Sequence, residues 1–348
     1  MRVVGHRLVP YALPLTEPVT WGGTPHRQRA GVLLRLDGAD GAVGWGDAAP
    51  LPGFSRESLA EAHAAVVTGA RAVTGRDLDP LDVVSLTSPL HEALDAAGLP
   101  SSARFAVDLA LADLARQWLG QSLPKALHAD APASLPLNAL VLGEGAVAQA
   151  RARAEEGYAA VKLKVGRAAV ADDLATVAAV REASGPGVAL RLDANRAWSD
   201  ADARAFAAAV GEVAYVEEPL ADPAGGAALS RDTGLPIALD ESIQDGASVE
   251  AWAAAAILKP TLVGGLAATL RIAASARARG VPVVLSAAFE SGVGLRGVAA
   301  LAAATGAEPA GLDTYRWLAA DVLPALPFSR PTVDLDAVFA TPLEVRVP

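Results

Sequence analysis

Val161-Lys162-Leu163-Lys164-Val165 sets two lysines in strict alternation with aliphatic residues. Successive side chains of a β-strand point to opposite faces, so both ammonium groups share one face and the aliphatics the other. Lysine is scarce in this chain. Of 29 basic residues only Lys125, Lys162, Lys164 and Lys259 are lysines, and the other 25 are arginine. Arginine cannot be deprotonated in a protein, whereas the pKa of a desolvated lysine shifts readily. Three of the four lysines lie in apolar, strand-like segments, which makes them candidates for chemistry.

Outward from this strand the chain repeats one rhythm of short apolar strands and alanine-rich helices such as Ala201–Val210. The strands are expected at Leu137–Leu142, Ala160–Val165, Val188–Asp193, Tyr215–Glu217, Pro236–Asp240, Ala256–Lys259, Val281–Ser286 and Gly311–Thr314. Eight strands with helices between most of them predict a parallel α/β barrel. An open doubly wound sheet is the alternative, but no Gly-x-Gly-x-x-Gly follows an early strand. Ahead of the barrel, Arg2–Leu8, Ala30–Leu36 and Ala42–Asp47 predict a small antiparallel meander. Helices are expected at Arg56–Val73, opened by Ser55, and at Pro89–Ala96 and Ser102–Trp118. The strand-like tail Leu343–Val347 is expected to return to the meander.

Active-site groups of a barrel project from the C-terminal ends of its strands, and the unusual polar residues fall there. Leu190-Arg191-Leu192-Asp193-Ala194-Asn195 puts Arg191, Asp193 and Asn195 on one face. The following strands end in Glu217-Glu218-Pro219, Asp240-Glu241-Ser242 and Lys259-Pro260. The order is lysines, acid, acid, acid, lysine. Carboxylates on three adjacent strand ends make an oxygen site for a hard cation such as Mg²⁺. Lysine strands flanking it suit removal of a carbon-bound proton beside a carboxylate held on that cation. Clustered cations are expected to lower a lysine's pKa, so that one amine can act as base. A single acid at a strand end is more often a helix cap, the role expected of Ser199, Asp200 and Asp222. Five chemical residues in this order are not explained by capping. Glu218 and Glu241 are alternatives to their neighbours as ligands.

Composition narrows the field further. The 348 residues allow one large domain and a smaller one, and the absence of cysteine excludes disulfides and thiol nucleophiles. A net charge of −10 opposes broad phosphate-backbone binding, so no nucleic-acid partner is expected. No apolar run has the length of a membrane helix, and no signal peptide is legible at Met1–His6, so a cytoplasmic location is expected. His6, His26, His63, His91 and His128 form neither a zinc nor a serine-hydrolase pattern.

Lys162-x-Lys164, Asp193-Ala194-Asn195, Glu217-Glu218-Pro219, Asp240-Glu241-Ser242 and Ile257-Leu258-Lys259-Pro260 together resemble the barrel motifs of the enolase superfamily, in its muconate-lactonizing-enzyme-like branch. Five further stretches are similar to the o-succinylbenzoate synthase family of menaquinone biosynthesis. They are Gly44-Trp45-Gly46-Asp47, Pro50-Leu51-Pro52-Gly53-Phe54-Ser55, Arg191–Trp198, Lys259-Pro260-Thr261-Leu262 and Gly311-Leu312-Asp313-Thr314. The resemblance covers nearly the whole chain. It implies a (β/α)7β modified TIM barrel over residues 131–319 and an α+β capping domain over residues 1–130, completed by 320–348. It further implies a Mg²⁺-dependent syn dehydration, with Mn²⁺ an alternative metal.

Carried over residue by residue, Lys164 is the base, Lys162 its electrostatic neighbour and Lys259 the stabiliser of the enolate. Asp193, Glu217 and Asp240 hold the metal. Alanines stand in Ser286–Ser291 where the family often has serines. That leaves backbone N–H groups at Ala288 and Gly311 to hold the succinyl carboxylate. Arg191 and Asn195 are expected to face substrate. The segment Pro14–Arg29 is expected to be a closing loop whose Arg29, with His26 and Arg27, faces an anion. An N-succinylamino acid racemase or dipeptide epimerase on the same scaffold is the alternative, with Lys164 and Lys259 as bases on two faces. Asp313-Thr314-Tyr315 lacks the second acid of an epimerase. A catalytically silent metal-binding scaffold is the other class weighed. Oligomeric state is not legible.

Overall fold

The computed structural model describes residues 1–306, 308–328, 330–340 and 343–346. The N-terminal part opens with β1 (Val3–Trp21), β2 (Thr24–Gly38) and β3 (Val43–Ala48), an antiparallel sheet in that order. β1 and β2 run far beyond the expected strands, so Pro14–Arg29 is a paired hairpin and not an open loop. Pro10, Pro14 and Pro18 disguise β1 because they break the strand pattern. They are tolerated because β1 is an edge strand, with an irregularity in pairing between Pro14 and Val19. The hairpin turns at Gly22-Gly23, both at positive φ (54° and 78°), a region glycine enters without strain.

Five helices follow: α1 (Leu59–Val73), α2 (Pro80–Ser85), α3 (Pro89–Ala96), α4 (Ser101–Trp118) and α5 (Leu123–Leu127). α1 is capped by Ser58, not Ser55. The Ser58 hydroxyl accepts the Glu61 N–H and the Glu61 carboxylate accepts the Ser58 N–H, a reciprocal capping box. α4 lies flush on the sheet. An added Cβ would stand 2.1 Å from the Ala110 oxygen at Gly44 and 1.8 Å from the Ala106 oxygen at Gly46. Val32, Leu34, Leu36, Val66, Val107 and Leu111 form the core between them.

After β4 (Ser134–Pro136) comes the barrel. Its strands and helices are β5 (Ala139–Val141), α6 (Ala146–Glu155), β6 (Ala160–Lys164), α7 (Val170–Ser184), β7 (Ala189–Asp193), α8 (Asp200–Ala207), β8 (Tyr215–Glu217), α9 (Gly226–Thr233), β9 (Ile237–Leu239), α10 (Glu241–Gln244), β10 (Ala255–Leu258), α11 (Pro260–Val263), α12 (Gly265–Ala278), β11 (Val283–Leu285) and α13 (Gly292–Ala304). The strands are parallel in the order β5 to β11. The eighth staff of the barrel is shorter than expected and lies one residue earlier. Ala310 bridges Leu137 and Gly311 bridges Ser286, which closes the ring, whereas Asp313–Trp317 is a 3-10 turn. The Asp313 carboxylate takes the Leu140 N–H at 2.9 Å, so a side chain stands where the ladder would have continued.

Ser199 and Asp222 do cap helical turns; Asp200 instead lies in the first turn of α8, paired with Arg204. At the end, β12 (Thr332–Asp334) pairs antiparallel with β4 and leads into α14 (Leu335–Ala340). The tail does not rejoin the meander as a strand: Leu343–Arg346 has no strand pairing, and Val347 lies outside the described residues. Among the described residues no helix is long and apolar enough to cross a membrane. The architecture is a (β/α)7β barrel with an N-terminal capping domain.

Candidate active site

Parallel register assembles the site at the C-terminal ends of the barrel strands. It places Lys164 beside Asp193, and Asp193 beside Glu217. Lys162 donates to Glu217 Oε2 at 2.5 Å and lies 2.8 Å from Asp193 Oδ2. Lys164 donates to Asp193 Oδ2 at 2.7 Å and to Asn195 Oδ1. Lys259, just beyond the end of β10, donates to Asp240 Oδ2. β10 is four strands from β6 in a ring of eight staves, so Lys164 and Lys259 face the barrel axis from opposite walls. The three carboxylates are buried, and the lysine side chains keep 13 to 22 % of their surface open.

The acids that follow the ligand positions are distinct from them. Glu218 is turned away from the lysines at φ 38°. Its carboxylate accepts the Asp240 N–H at 2.9 Å, the Ser242 N–H at 2.8 Å and the Ser242 hydroxyl at 2.9 Å, tying β8 to the turn after β9. Glu241 accepts one bond from Asn195 Nδ2 at 2.9 Å, and its other oxygen is buried without a partner.

The electrostatics run opposite to the expected lowering of lysine pKa. Burial alone would lower the Lys162 pKa, but Asp193, Glu217 and Asp240 outweigh it and hold the ammonium well above its ordinary range. Lys259 is likewise raised against burial, by Asp240 and Glu241. Acids outnumber lysines here, and the surplus shows on Glu217. Burial, reinforced by Asp193 and Asp240, pushes it up to about 8 despite Lys162. Asp193, between two ammonium groups, is drawn well below the usual carboxylate range against its own burial.

Surplus negative charge, an all-oxygen donor set and the unpartnered oxygen of Glu241 fit a hard divalent cation. As the side chains stand, no three acidic groups among the described residues converge to hold one. The ammonium groups lie between the carboxylates, so a cation would enter as the lysines swing off them.

A cavity of about 200 Å³ opens above the cluster. Lys162, Lys164, Asp193, Asn195 and Lys259 line its base, and Ser286, Ala287, Ala288, Gly311 and Thr314 one side. The cap contributes Val19, Thr20, Trp21, Leu51 and Phe54. Asn195, Ala288 and Gly311 line the cavity, but the backbone N–H groups expected to hold a carboxylate are engaged: Ala288 donates to Glu290 Oε2 at 2.7 Å and Gly311 to the Leu285 carbonyl at 2.8 Å. Two expected substrate ligands do not line the cavity. Arg191 is buried beneath it, where it donates to Asn138 Oδ1 at 2.8 Å and to the Pro309 carbonyl at 2.6 Å and lies over the Tyr215 ring. Arg29 is buried in the joint between cap and barrel. It donates to the carbonyls of Phe289 (2.9 Å), Ala30 (3.0 Å), Pro50 (2.9 Å), Ala49 and Ala288 (3.3 Å). Five acceptors occupy it, leaving nothing for an anion.

Sequence reasoning overlooked Arg167. It lines the cavity, is exposed and, among the described residues, has no hydrogen bond or ion pair. Its position just after the Lys-x-Lys strand, at the catalytic end of the barrel, was a usable signal. Trp21 and Phe54 were also missed as cavity walls; Phe54 lies 6.0 Å from Lys259 Nζ.

Beside the cavity a second polar cluster ties the cap to the start of α13. Asp47 on β3 accepts the Tyr11 hydroxyl at 2.8 Å, and the Ser291 N–H at 3.0 Å and hydroxyl at 2.8 Å. Complete burial still pushes its pKa up to about 6.

Comparison with known proteins identifies the relatives of this chain. The family model described as "MenC, N-terminal domain" matches residues 3–89, and "Enolase C-terminal domain-like" matches residues 145–342. The o-succinylbenzoate synthase of Yersinia enterocolitica is 34 % identical, over 94 % of this chain and 95 % of its own. That of Klebsiella pneumoniae is 34 % identical, over 90 % and 91 %. Among solved structures, the L-Ala-D/L-Glu epimerase of Bacillus subtilis superposes with a TM-score of 0.83 at 26 % identity, covering 96 % of both chains. A dipeptide epimerase of Enterococcus faecalis, complexed with Mg and a dipeptide, shares the fold at TM-score 0.84 and 23 % identity, covering 96 % of this chain and 97 % of its own. This chain belongs to the o-succinylbenzoate synthase family of the enolase superfamily.

Proposed function

We propose that the site dehydrates 2-succinyl-6-hydroxy-2,4-cyclohexadiene-1-carboxylate to o-succinylbenzoate in menaquinone biosynthesis, acting on a small dissolved carboxylate in the cytoplasm. The observation that carries this is the pair of lysine walls, Lys162 with Lys164 and Lys259, facing each other across one carboxylate cluster. Asp193, Glu217 and Asp240 would hold Mg²⁺, or Mn²⁺ in its place. Such a cation, when bound, neutralises charge that develops on the substrate carboxylate.

In this mechanism Lys164 takes the proton beside the carboxylate and then returns it to the departing hydroxyl, which leaves as water from the same face. Asn195 orients the Lys164 amine through its side-chain oxygen. Lys162 sets the local field, and Lys259 on the opposite wall stabilises the enolate beside the ring. Trp21, Leu51 and Phe54 exclude water from above. Aromatisation supplies much of the driving force.

With Arg29 and Arg191 engaged elsewhere, and the backbone N–H groups of Ala288 and Gly311 already bonded within the protein, Arg167 is the cation outside the lysine cluster left to attract the succinyl carboxylate. Residues 1–130, completed by 320–348, form the proposed cap over a barrel of 131–319. Phe339 and Leu343 line a surface pocket together with Gly41, Val43 and Trp45 of the meander, which supports the return of the chain to the cap.

Racemisation of an N-succinylamino acid is the second reading, because Lys164 and Lys259 on opposite walls are arranged as two bases. The deciding experiment supplies the cyclohexadiene with Mg²⁺ and follows aromatic product by absorbance, in parallel with an N-succinylamino acid in D₂O. The expected result is rapid dehydration. Absence of dehydration together with fast α-deuteration would replace the synthase by the racemase.

A further inference from the structure

α13 is buried along its whole length, and Arg296 is its one charged residue. The residue is 4 % exposed, yet among the described residues its guanidinium makes no hydrogen bond or ion pair, and Nη2 is fully enclosed without a partner. What it meets is the Phe339 ring of α14, with Cζ 4.9 Å from the ring centre. The acid that acts on it, Asp113, is already engaged: Oδ1 takes Arg116 Nε at 2.7 Å and Oδ2 the Trp45 N–H at 3.1 Å. Two guanidinium groups therefore share one carboxylate. Burial lowers the Arg296 pKa to about 10, which still leaves it a cation at neutral pH.

An unpaired buried charge carries a desolvation cost that an apolar residue of similar length would avoid. Arg296 does not stand against solid packing. It borders a cavity of about 230 Å³ whose other walls include Leu323, Pro324, Leu326, Pro327 and Val338. This cavity shares no lining residue with the one above the lysines.

We propose that the cavity is a second binding site, which takes a small organic monocarboxylate, pairing its carboxylate with Arg296 and laying its apolar body against the leucine and proline walls. A charge-assisted N–H···O bond from a guanidinium to a carboxylate is roughly twice as strong as a neutral one. Phosphate or sulfate would need more donors than one arginine, and two of the wall residues are prolines, which have no N–H to offer. The occupant would tie the chain around residues 323–327 and α14 to α13, so its binding should raise thermal stability.

The test is thermal unfolding of the full chain with Mg²⁺ present, titrated with benzoate and, separately, with benzamide as the uncharged counterpart. The wild type should show a saturable rise with benzoate, roughly 4 °C at one hundred times the dissociation constant, and none with benzamide. Arg296→Met keeps the length of the side chain and should lose the rise while retaining turnover without benzoate. Phe339→Leu leaves the guanidinium in place and should weaken benzoate binding several-fold, which provides a second reading should Arg296→Met fold poorly. No saturable rise in the wild type would overturn the proposal. So would an equal rise in Arg296→Met, which would assign benzoate to the lysine cluster instead. A rise of the same size with benzamide would show that apolar filling, not charge pairing, is responsible.

Discussion

Two polar regions meet above the barrel, and they neutralise charge in different ways. In the lysine–carboxylate cluster, Lys162, Lys164 and Lys259 each rest on acids that the proposed metal would claim. In the joint between cap and barrel, Arg29 rests on five backbone carbonyls from three segments of chain. Side-chain pairs can be exchanged when a ligand arrives, because each partner can rotate to a new one. Carbonyl dipoles of a folded backbone cannot. The first region is therefore built for rearrangement and the second for rigidity, although both present buried basic groups beside the same cavity.

Replacement within the cluster tests the first half of this contrast most severely. Lys164→Arg keeps the charge and removes the ability to accept a proton. Turnover, followed as aromatic product, is expected to fall roughly 10²–10⁴-fold with no change in melting temperature. Appreciable residual activity would mean that the base lies elsewhere. In the joint the pattern should invert. Arg29→Met leaves five carbonyls short of a donor and should cost about 3 kcal/mol of stability by denaturant titration. Its effect on turnover should follow from loosening of Ala288 and Phe289, and so should be smaller than that of Lys164→Arg. An unchanged unfolding midpoint would break the comparison.

Asp47 permits a subtler test. Its pKa is raised from an ordinary 3.8 to about 6 in the folded chain. Between those values the folded state holds a proton that the unfolded state has released, so this group's contribution favours folding at low pH and is lost as pH rises from about 4 to about 6. Asp47→Asn should flatten that part of the stability–pH curve, measured by urea unfolding at stepped pH. A slope identical to the wild type would assign the titration to another acid. The smallest effect is expected outside both regions. Ser58→Ala removes half of the capping box of α1 and should cost about 1 kcal/mol with kcat and KM unchanged.

The same contrast explains what could be read from sequence alone. The cluster was legible because strand periodicity fixes which face a residue takes, and because lysine is rare enough here for its placement to carry information. Barrel register then brought Lys164 beside Asp193 and Asp193 beside Glu217. The joint was not legible. Arg29 looks like an anion ligand in sequence, since nothing local announces that backbone carbonyls from distant segments will occupy it, and Arg191 beneath the cavity is likewise taken by Asn138 and Pro309. Nor does composition reveal a hairpin whose outer strand contains Pro10, Pro14 and Pro18, because edge position, which excuses proline, is a property of the finished sheet. The eighth staff shrank for a related reason: a carboxylate, Asp313, took the amide of Leu140.

Arg29 also bears on how the chain comes to be folded. The guanidinium and its acceptor at Phe289 are 260 residues apart. At a synthesis rate of roughly 5–20 residues per second, the arginine is added to the chain about 13–52 s before that carbonyl exists. During that interval the N-terminal hairpin has no barrel to dock on. Its tip, including Trp21, must wait as unburied apolar surface. The window of greatest exposure to chaperones and to aggregation is thus set by the distance along the chain between a lid and the mouth it covers.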